Sequence, residues 1–205
     1  MVQAFLKERI PMTHIDLASV SAHKVHGLKG CGALYIKKGV RILPHTTGGG
    51  QEGGLRSGTE AVHAIAAFGA AAEGGARRFG ANRAKIAALR AAANKALSDL
   101  PGGQFLEVSG IPDVFTVFFP GYKSEVLLRF LSARDICLSA GSACAKGKKS
   151  PVLTAMGLPA ASIDSALRIS LGEENTEEEI DALRAALSDA LRELVHTTPR
   201  TGGNI

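Results

Sequence analysis

Five short apolar runs, separated by glycine-bearing loops or by stretches with helical spacing, constrain this chain more than any other feature. Residues 16–21 (DLASVS), 32–38 (GALYIKK), 114–119 (VFTVFF), 136–141 (ICLSAG) and 166–172 (ALRISLG) have the length and flanking residues of buried strands. Residues 48–58, GGGQEGGLRSG, are too rich in glycine for the interior of a helix or strand. Thr59 follows as the expected N-cap of an alanine-rich helix. That helix is predicted to break at Gly74-Gly75 and to resume with Ile86, Leu89, Ala93, Leu97 and Leu100 on one face, ending at PGG, residues 101–103. Residues 124–135 again carry helical periodicity, and Pro151 opens a short helix in PVLTAMG. Thr176 and Glu179 form a T-x-x-E capping box ahead of Ile180, Leu183, Leu187, Leu191 and Leu194. Strands alternating with helices define an α/β chain.

Composition narrows the function classes. The chain has 205 residues, 45% of them hydrophobic, but only 5% aromatic and no Trp, so aliphatic side chains must fill its core. The net charge of +5 comes from Lys and Arg that are scattered and rarely interleaved with aromatics, which argues against direct nucleic-acid binding. Three cysteines, Cys31, Cys137 and Cys144, form no CxxC pair. That argues against a disulfide framework or a zinc site and fits a reducing cytoplasm. No apolar run approaches the roughly 20 residues of a membrane span, and MVQAFLKERIP lacks the apolar region of a signal peptide.

Three residues stand out chemically. Lys24 lies at the end of a predicted strand, between Ser21, His23 and a pair of glycines, Gly27 and Gly30. Such a mount suits a Schiff-base lysine, whose amine must lose its proton and meet a carbonyl; a solvated loop lysine is the plain alternative. Cys144 sits among small residues with Lys146, Lys148 and Lys149 nearby, whose charge favours a thiolate. A structural cysteine remains open there, and it suits Cys31 and Cys137 better, beside apolar strand residues. Arg168 alternates with apolar residues on its strand and either grips a carboxylate through its guanidinium fork or lies on a solvated edge. Arg56, in the glycine loop, is ambiguous in the same way, and that loop lacks the GxxxxGK[ST] spacing of a nucleotide site.

Taken together, SAHKVHGLKGCGALYIKKG, GGGQEGGLRSGTEAV, SAGSACAKGKKSPVLTAMGLP and ALRISLGEENTEEEID resemble, in that order, the cysteine desulfurases, class V aminotransferase-like enzymes that use pyridoxal 5'-phosphate (PLP). The resemblance runs from Val2 to about Val195. It implies a PLP-dependent transferase of fold type I: residues 1–66 as part of the large PLP-binding domain, 67–100 as a connecting helical segment, 101–195 as an α+β small domain and 196–205 as a disordered tail. It also implies that Lys24 is the Schiff-base lysine, that Ser21 and His23 contact the cofactor phosphate, and that Gln3 faces the phenolic oxygen. Thr59 would reach the phosphate of the neighbouring subunit in a homodimer. Cys144 would receive sulfur as a persulfide and Arg168 would hold the carboxylate of L-cysteine. The sulfur would pass to an acceptor protein, of scaffold or tRNA-thiolation type, for iron–sulfur cluster assembly or thiolated tRNA.

One departure accompanies the resemblance. Family members carry a long segment before the D-x-V-Q motif that supplies a phosphate loop, a ring-stacking residue and the aspartate for the pyridinium nitrogen. Here the sequence reads Met1-Val2-Gln3 where that aspartate has just passed. The chain is therefore expected to be a C-terminal portion of such an enzyme, poorly active alone. A selenocysteine lyase, an aminotransferase of the same fold, and a non-catalytic module are the alternative readings.

Overall fold

The computed structural model describes residues 11–106, 112–140 and 150–196. The chain divides into two compact units, Met1–Arg83 and Ala84–Ile205, with the boundary inside a long helix.

In the first unit, β1 (Leu17–Ser21) pairs antiparallel with β2 (Gly32–Ile36), in a register running from Leu17 opposite Ile36 to Ser21 opposite Gly32. The two strands fall where the sequence places them, but they are not buried as expected. β2 is exposed along most of its length, and Leu17 and Leu34 are 46% and 52% exposed. The apolar runs read as those of a buried sheet, yet among the described residues the sheet has two strands and little packs against it, so β2 stays in contact with water. The buried residues of the hairpin are Ala18 on β1 and Ala22 and Val25 in the turn that follows it.

The glycine-rich segment forms a tight turn over Gln51–Gly54 in which Glu52, Gly53 and Gly54 adopt φ of 51°, 64° and 79°. Glycine takes such values freely, which Gly53 and Gly54 exploit, while Glu52 adopts the left-handed region as a non-glycine residue. Ser57 is buried and donates its hydroxyl to the Gly49 carbonyl at 2.7 Å, which fastens the turn.

Helix α1 (Val62–Ser98) follows without interruption. The expected break at Gly74-Gly75 does not occur. Mid-helix glycine costs roughly 1 kcal/mol relative to alanine, and the surrounding Ala, Arg and Glu residues favour helix enough to absorb it. Nor is Thr59 the N-cap. The first helical hydrogen bonds run from the N–H groups of Ala64 and Ile65 to the carbonyl of Ala61, two residues further on.

In the second unit, β3 (Gln104–Phe105), β4 (Val114–Phe118) and β5 (Ala166–Ser170) form an antiparallel sheet in that order. One face packs the main core: Phe115 and Val117 of β4 and Leu167 and Ile169 of β5 meet Leu89, Ala93 and Leu97 of α1. Leu127 and Leu131 of α2 (Ser124–Ser132) and Leu183 and Leu187 of α5 (Glu177–Glu193) complete it. The other face carries a smaller cluster, in which Phe118 and Ala166 meet Leu153 of α3 (Pro151–Ala155) and Ile163 of α4 (Ala160–Asp164).

Helix α2 is three residues shorter than the periodicity suggests, because Asp135 takes φ 60° and the N–H of Ile136 folds back onto the Leu131 carbonyl. The strand expected at 136–141 reduces to one antiparallel bridge, Ser139 opposite Arg168. The capping box of α5 is present in full: Thr176 Oγ1 accepts from the Glu179 N–H, and the Glu179 carboxylate accepts from the Thr176 N–H. Of the expected tail, residues 197–205 lie outside the described residues, while His196 packs edge-on against Tyr122 at 5.2 Å between ring centroids.

Candidate active site

Lys24 ends a single tight turn, Ala22–Lys24, that begins directly after Ser21 at the end of β1. The turn is built on Ala22, which is fully buried. Its N–H donates to the Cys31 carbonyl at 3.0 Å, and its own carbonyl accepts from both Val25 and Gly27, at 3.0 and 2.9 Å. The backbone is thus closed inward, while His23 and Lys24 are exposed and Ser21 is half-buried. Among the described residues, no hydrogen bond or ion pair engages the Lys24 side chain. The strand-end mount expected for this lysine is present. Among the described residues no layer covers it, and the Lys24 side chain is exposed to solvent.

In the glycine loop, Thr59 is exposed, and Arg56 donates to the carbonyl of its neighbour Ser57 at 2.9 Å. The Gly58 N–H donates to Gln51 Oε1 at 3.2 Å, so the loop that carries Thr59 is held from within. Gln3 and Cys144 lie outside the described residues.

Arg168 belongs to the second unit. It stands on β5 opposite Thr116 of β4, and on its other side it exchanges backbone hydrogen bonds with Ser139, at 2.6 and 3.3 Å. The strand is therefore not a bare solvated edge at this residue. The guanidinium Nε is buried and, among the described residues, has no hydrogen-bond partner. An ionised donor left so is costly in isolation, and a carboxylate is the group that best satisfies it. The two remaining cysteines do not match the buried structural role expected of them. Cys31 is half-buried and Cys137 is exposed, because the segment around Cys137 pairs at one residue instead of forming a covered strand.

The donor set suits a phosphorylated carbonyl cofactor. A hydroxyl, an imidazole and an unengaged primary amine occur within four residues on one fixed turn, Ser21 to Lys24. Sequence reasoning passed over Thr116 and Ser139, whose relation to Arg168 depends on strand register, which one sequence does not reveal.

Residues 1–183 match the aminotransferase class-V family, and the chain belongs to it. A cysteine desulfurase of Rhodobacter capsulatus is 39% identical over 194 residues, covering 91% of this chain and 50% of that protein. The mitochondrial cysteine desulfurase of Saccharomyces cerevisiae is 38% identical over 208 residues, with coverage of 96% and 41%. Among solved structures, a NifS-like protein superposes with a TM-score of 0.85 at 35% identity, covering 95% of this chain and 52% of that one. The chain spans about half the length of the relatives it matches. The α/β fold is that of the matching half of the NifS-like protein. Among the described residues, no helix is long and apolar enough to cross a membrane.

Proposed function

We propose that this chain provides the lysine-bearing and cysteine-bearing half of a PLP-dependent cysteine desulfurase, which converts L-cysteine into L-alanine and an enzyme persulfide. Residues 1–66 contribute to the cofactor domain and 101–195 form the small domain. Lys24 anchors the cofactor through Nζ, Ser21 and His23 hold its phosphate, Gln3 meets its phenolic oxygen, and Thr59 reaches the phosphate site of the partner subunit in a homodimer. When bound, PLP draws electrons from the substrate α-carbon. Lys24, once released, takes and returns protons as general base and acid. Arg168 holds the substrate carboxylate. The Cys144 thiolate attacks the substrate sulfur, so that an S–S bond forms as the C–S bond breaks. The electron pair stays with the carbon fragment, which is protonated to alanine. The persulfide then passes to a sulfur-acceptor protein in the cytoplasm.

The observation that supports this most is the Ser21–Lys24 turn, whose hydrogen-bonded backbone carries three cofactor-competent residues side by side and, among the described residues, leaves the lysine amine unengaged. The test is to incubate the protein with PLP, reduce with borohydride and map the pyridoxyl label by mass spectrometry, with and without the N-terminal half of the R. capsulatus relative in trans. Label on Lys24, faint in the chain alone and stronger with the added half, is the expected result. Label spread evenly over Lys24, Lys29, Lys37 and Lys38 would remove the basis for the reading.

A further inference from the structure

The second face of the β3–β4–β5 sheet carries a polar row centred on Arg168, whose two flanking members the catalytic reading leaves unassigned. Thr116, Arg168 and Ser139 stand in direct register on three adjacent backbone segments. Directly opposed residues of antiparallel neighbours project to the same face, so the two hydroxyl side chains flank the guanidinium-bearing one. The pairings differ in kind. Arg168 turns both its N–H and its carbonyl toward Ser139, whereas the Thr116 carbonyl accepts from Leu106 on the far side at 3.0 Å. Thr116 and Arg168 therefore form a non-hydrogen-bonded pair, whose side chains approach most closely, with Cα atoms about 4.5 Å apart. The residues alternating with this row, Phe115, Val117, Leu167 and Ile169, are buried in the main core, so the row cannot rotate inward. Thr116, Arg168 and Ser139 are each half-buried, and among the described residues the Arg168 Nε has no acceptor.

We propose that Thr116 and Ser139 are positioning residues for Arg168, and that the three together form a cradle for a small carboxylate. This rests on Arg168 as the carboxylate anchor. Thr116, β-branched and stiff at χ1, packs beside the arginine stem and holds it upright. The hydroxyls of Thr116 and Ser139 stand as additional donors on either side of the fork. A carboxylate accepting from Nε and a terminal nitrogen then finds a hydroxyl at each flank.

The test reads arginine reactivity and needs no catalytic turnover. Arg168 is modified with phenylglyoxal and quantified by peptide mass spectrometry, with propionate as the protecting probe and propionamide as the uncharged control. Propionate is expected to slow modification of Arg168 and propionamide to leave it unchanged. The half-protecting propionate concentration should rise about five- to tenfold in Thr116→Val, the loss of one hydrogen bond of ordinary strength, and return to within about twofold of the parent in Thr116→Ser. Ser139→Ala, which keeps the backbone bridge, should weaken protection in the same direction and serves if Thr116→Val fails to fold. Absence of propionate protection in the parent protein would overturn the carboxylate reading of Arg168 and the cradle with it. Equal protection in the parent, Thr116→Val and Ser139→Ala would overturn the cradle alone.

Discussion

Gly32 lies so close to Val20 that a Cβ placed on it would stand 2.4 Å from the Val20 carbonyl oxygen. Gly32 is also the residue opposite Ser21, at the point where β1 runs into the lysine turn. Backbone, not a movable side chain, fills the space, so Gly32→Ala must push the strands apart just where Lys24 is mounted. The cost expected is about 1–3 kcal/mol of overpacking, with loss of the selective pyridoxyl label at Lys24. Gly30→Ala is the control: its φ of 82° carries strain, but nothing lies within 4 Å of the added carbon. It should cost about 1–2 kcal/mol and keep the label selective. Thermal melts and label mapping of both variants check this.

The exposed strands carry a second consequence. Leu17 and Leu34 lie on the same face of the β1–β2 sheet, because the register pairs Ser19 with Leu34 and alternate residues share a face. Unpaired sheet edges and apolar faces promote association. The parent protein is expected to self-associate and to bind an apolar-surface dye. Leu17→Lys with Leu34→Lys should lower both, read by light scattering and dye fluorescence. A sharp monomer of the parent with little dye binding would contradict the expectation.

The uninterrupted α1 offers two stabilising changes. A Cβ at Gly69 or at Gly80 would meet nothing within 4 Å, and both lie inside the helix. Gly69→Ala and Gly80→Ala should each stabilise by about 0.4–1 kcal/mol, chiefly by restricting the unfolded chain. A fall in the melting temperature for either would mean that the helix breaks near it.

At the start of α5 the capping box makes a pH prediction. The Asn175 side chain, and then the Thr176 N–H, hold the Glu179 carboxyl below its ordinary value. A carboxyl depressed on folding stabilises the folded state above its unfolded value, and that contribution is lost as pH falls through the lower folded value. Glu179→Gln should therefore lower the melting temperature near neutral pH, and the gap to the parent should close in strong acid. Thr176→Ala removes the other half of the box and should cost about 1 kcal/mol. A gap between parent and Glu179→Gln that persisted unchanged into acid would rule out the charged carboxylate as its source.

What was legible in the sequence follows a physical division. The capping box, the Pro151 helix and four of the five strands rest on local chemistry and periodicity, and the structure has them. The misplaced N-cap at Thr59 and the missing break at Gly74-Gly75 were competitions between local signals, in which glycine weakens a helix without ending it. The strand read at 136–141 failed because its apolar run says nothing about pairing partners, and among its described residues only Ser139 finds one. For the site, the motif around Lys24 marked the turn, but not its dependence on Ala22, Gly27 and Gly32 as backbone contacts. The Thr116–Arg168–Ser139 row depends on register between segments far apart in sequence and was invisible for that reason.

The three cysteines give the sharpest test of the proposed chemistry, because neither Cys31 nor Cys137 is shut away in the core. Cys137 is exposed and Cys31 half-buried, so either could in principle be alkylated or oxidised. The proposed mechanism nevertheless asks for one acceptor, Cys144, set among Lys146, Lys148 and Lys149, whose charges favour the thiolate that must attack sulfur. With PLP, L-cysteine and the N-terminal half of the R. capsulatus relative, the parent chain should release alanine and carry a persulfide on Cys144. Cys144→Ser should still give the pyridoxyl label at Lys24, since the cofactor anchor is untouched. It should nevertheless release alanine at least about a hundredfold more slowly, because a serine hydroxyl at neutral pH is a far weaker nucleophile than a thiolate. Lys24→Ala should lose both the label and the alanine, because the proton transfers precede sulfur removal. Cys31→Ser and Cys137→Ser should keep turnover near that of the parent. Persulfide mapped to Cys137, together with undiminished alanine release from Cys144→Ser, would move the acceptor role to the exposed thiol beside Ile136 and Leu138 and overturn the assignment of Cys144.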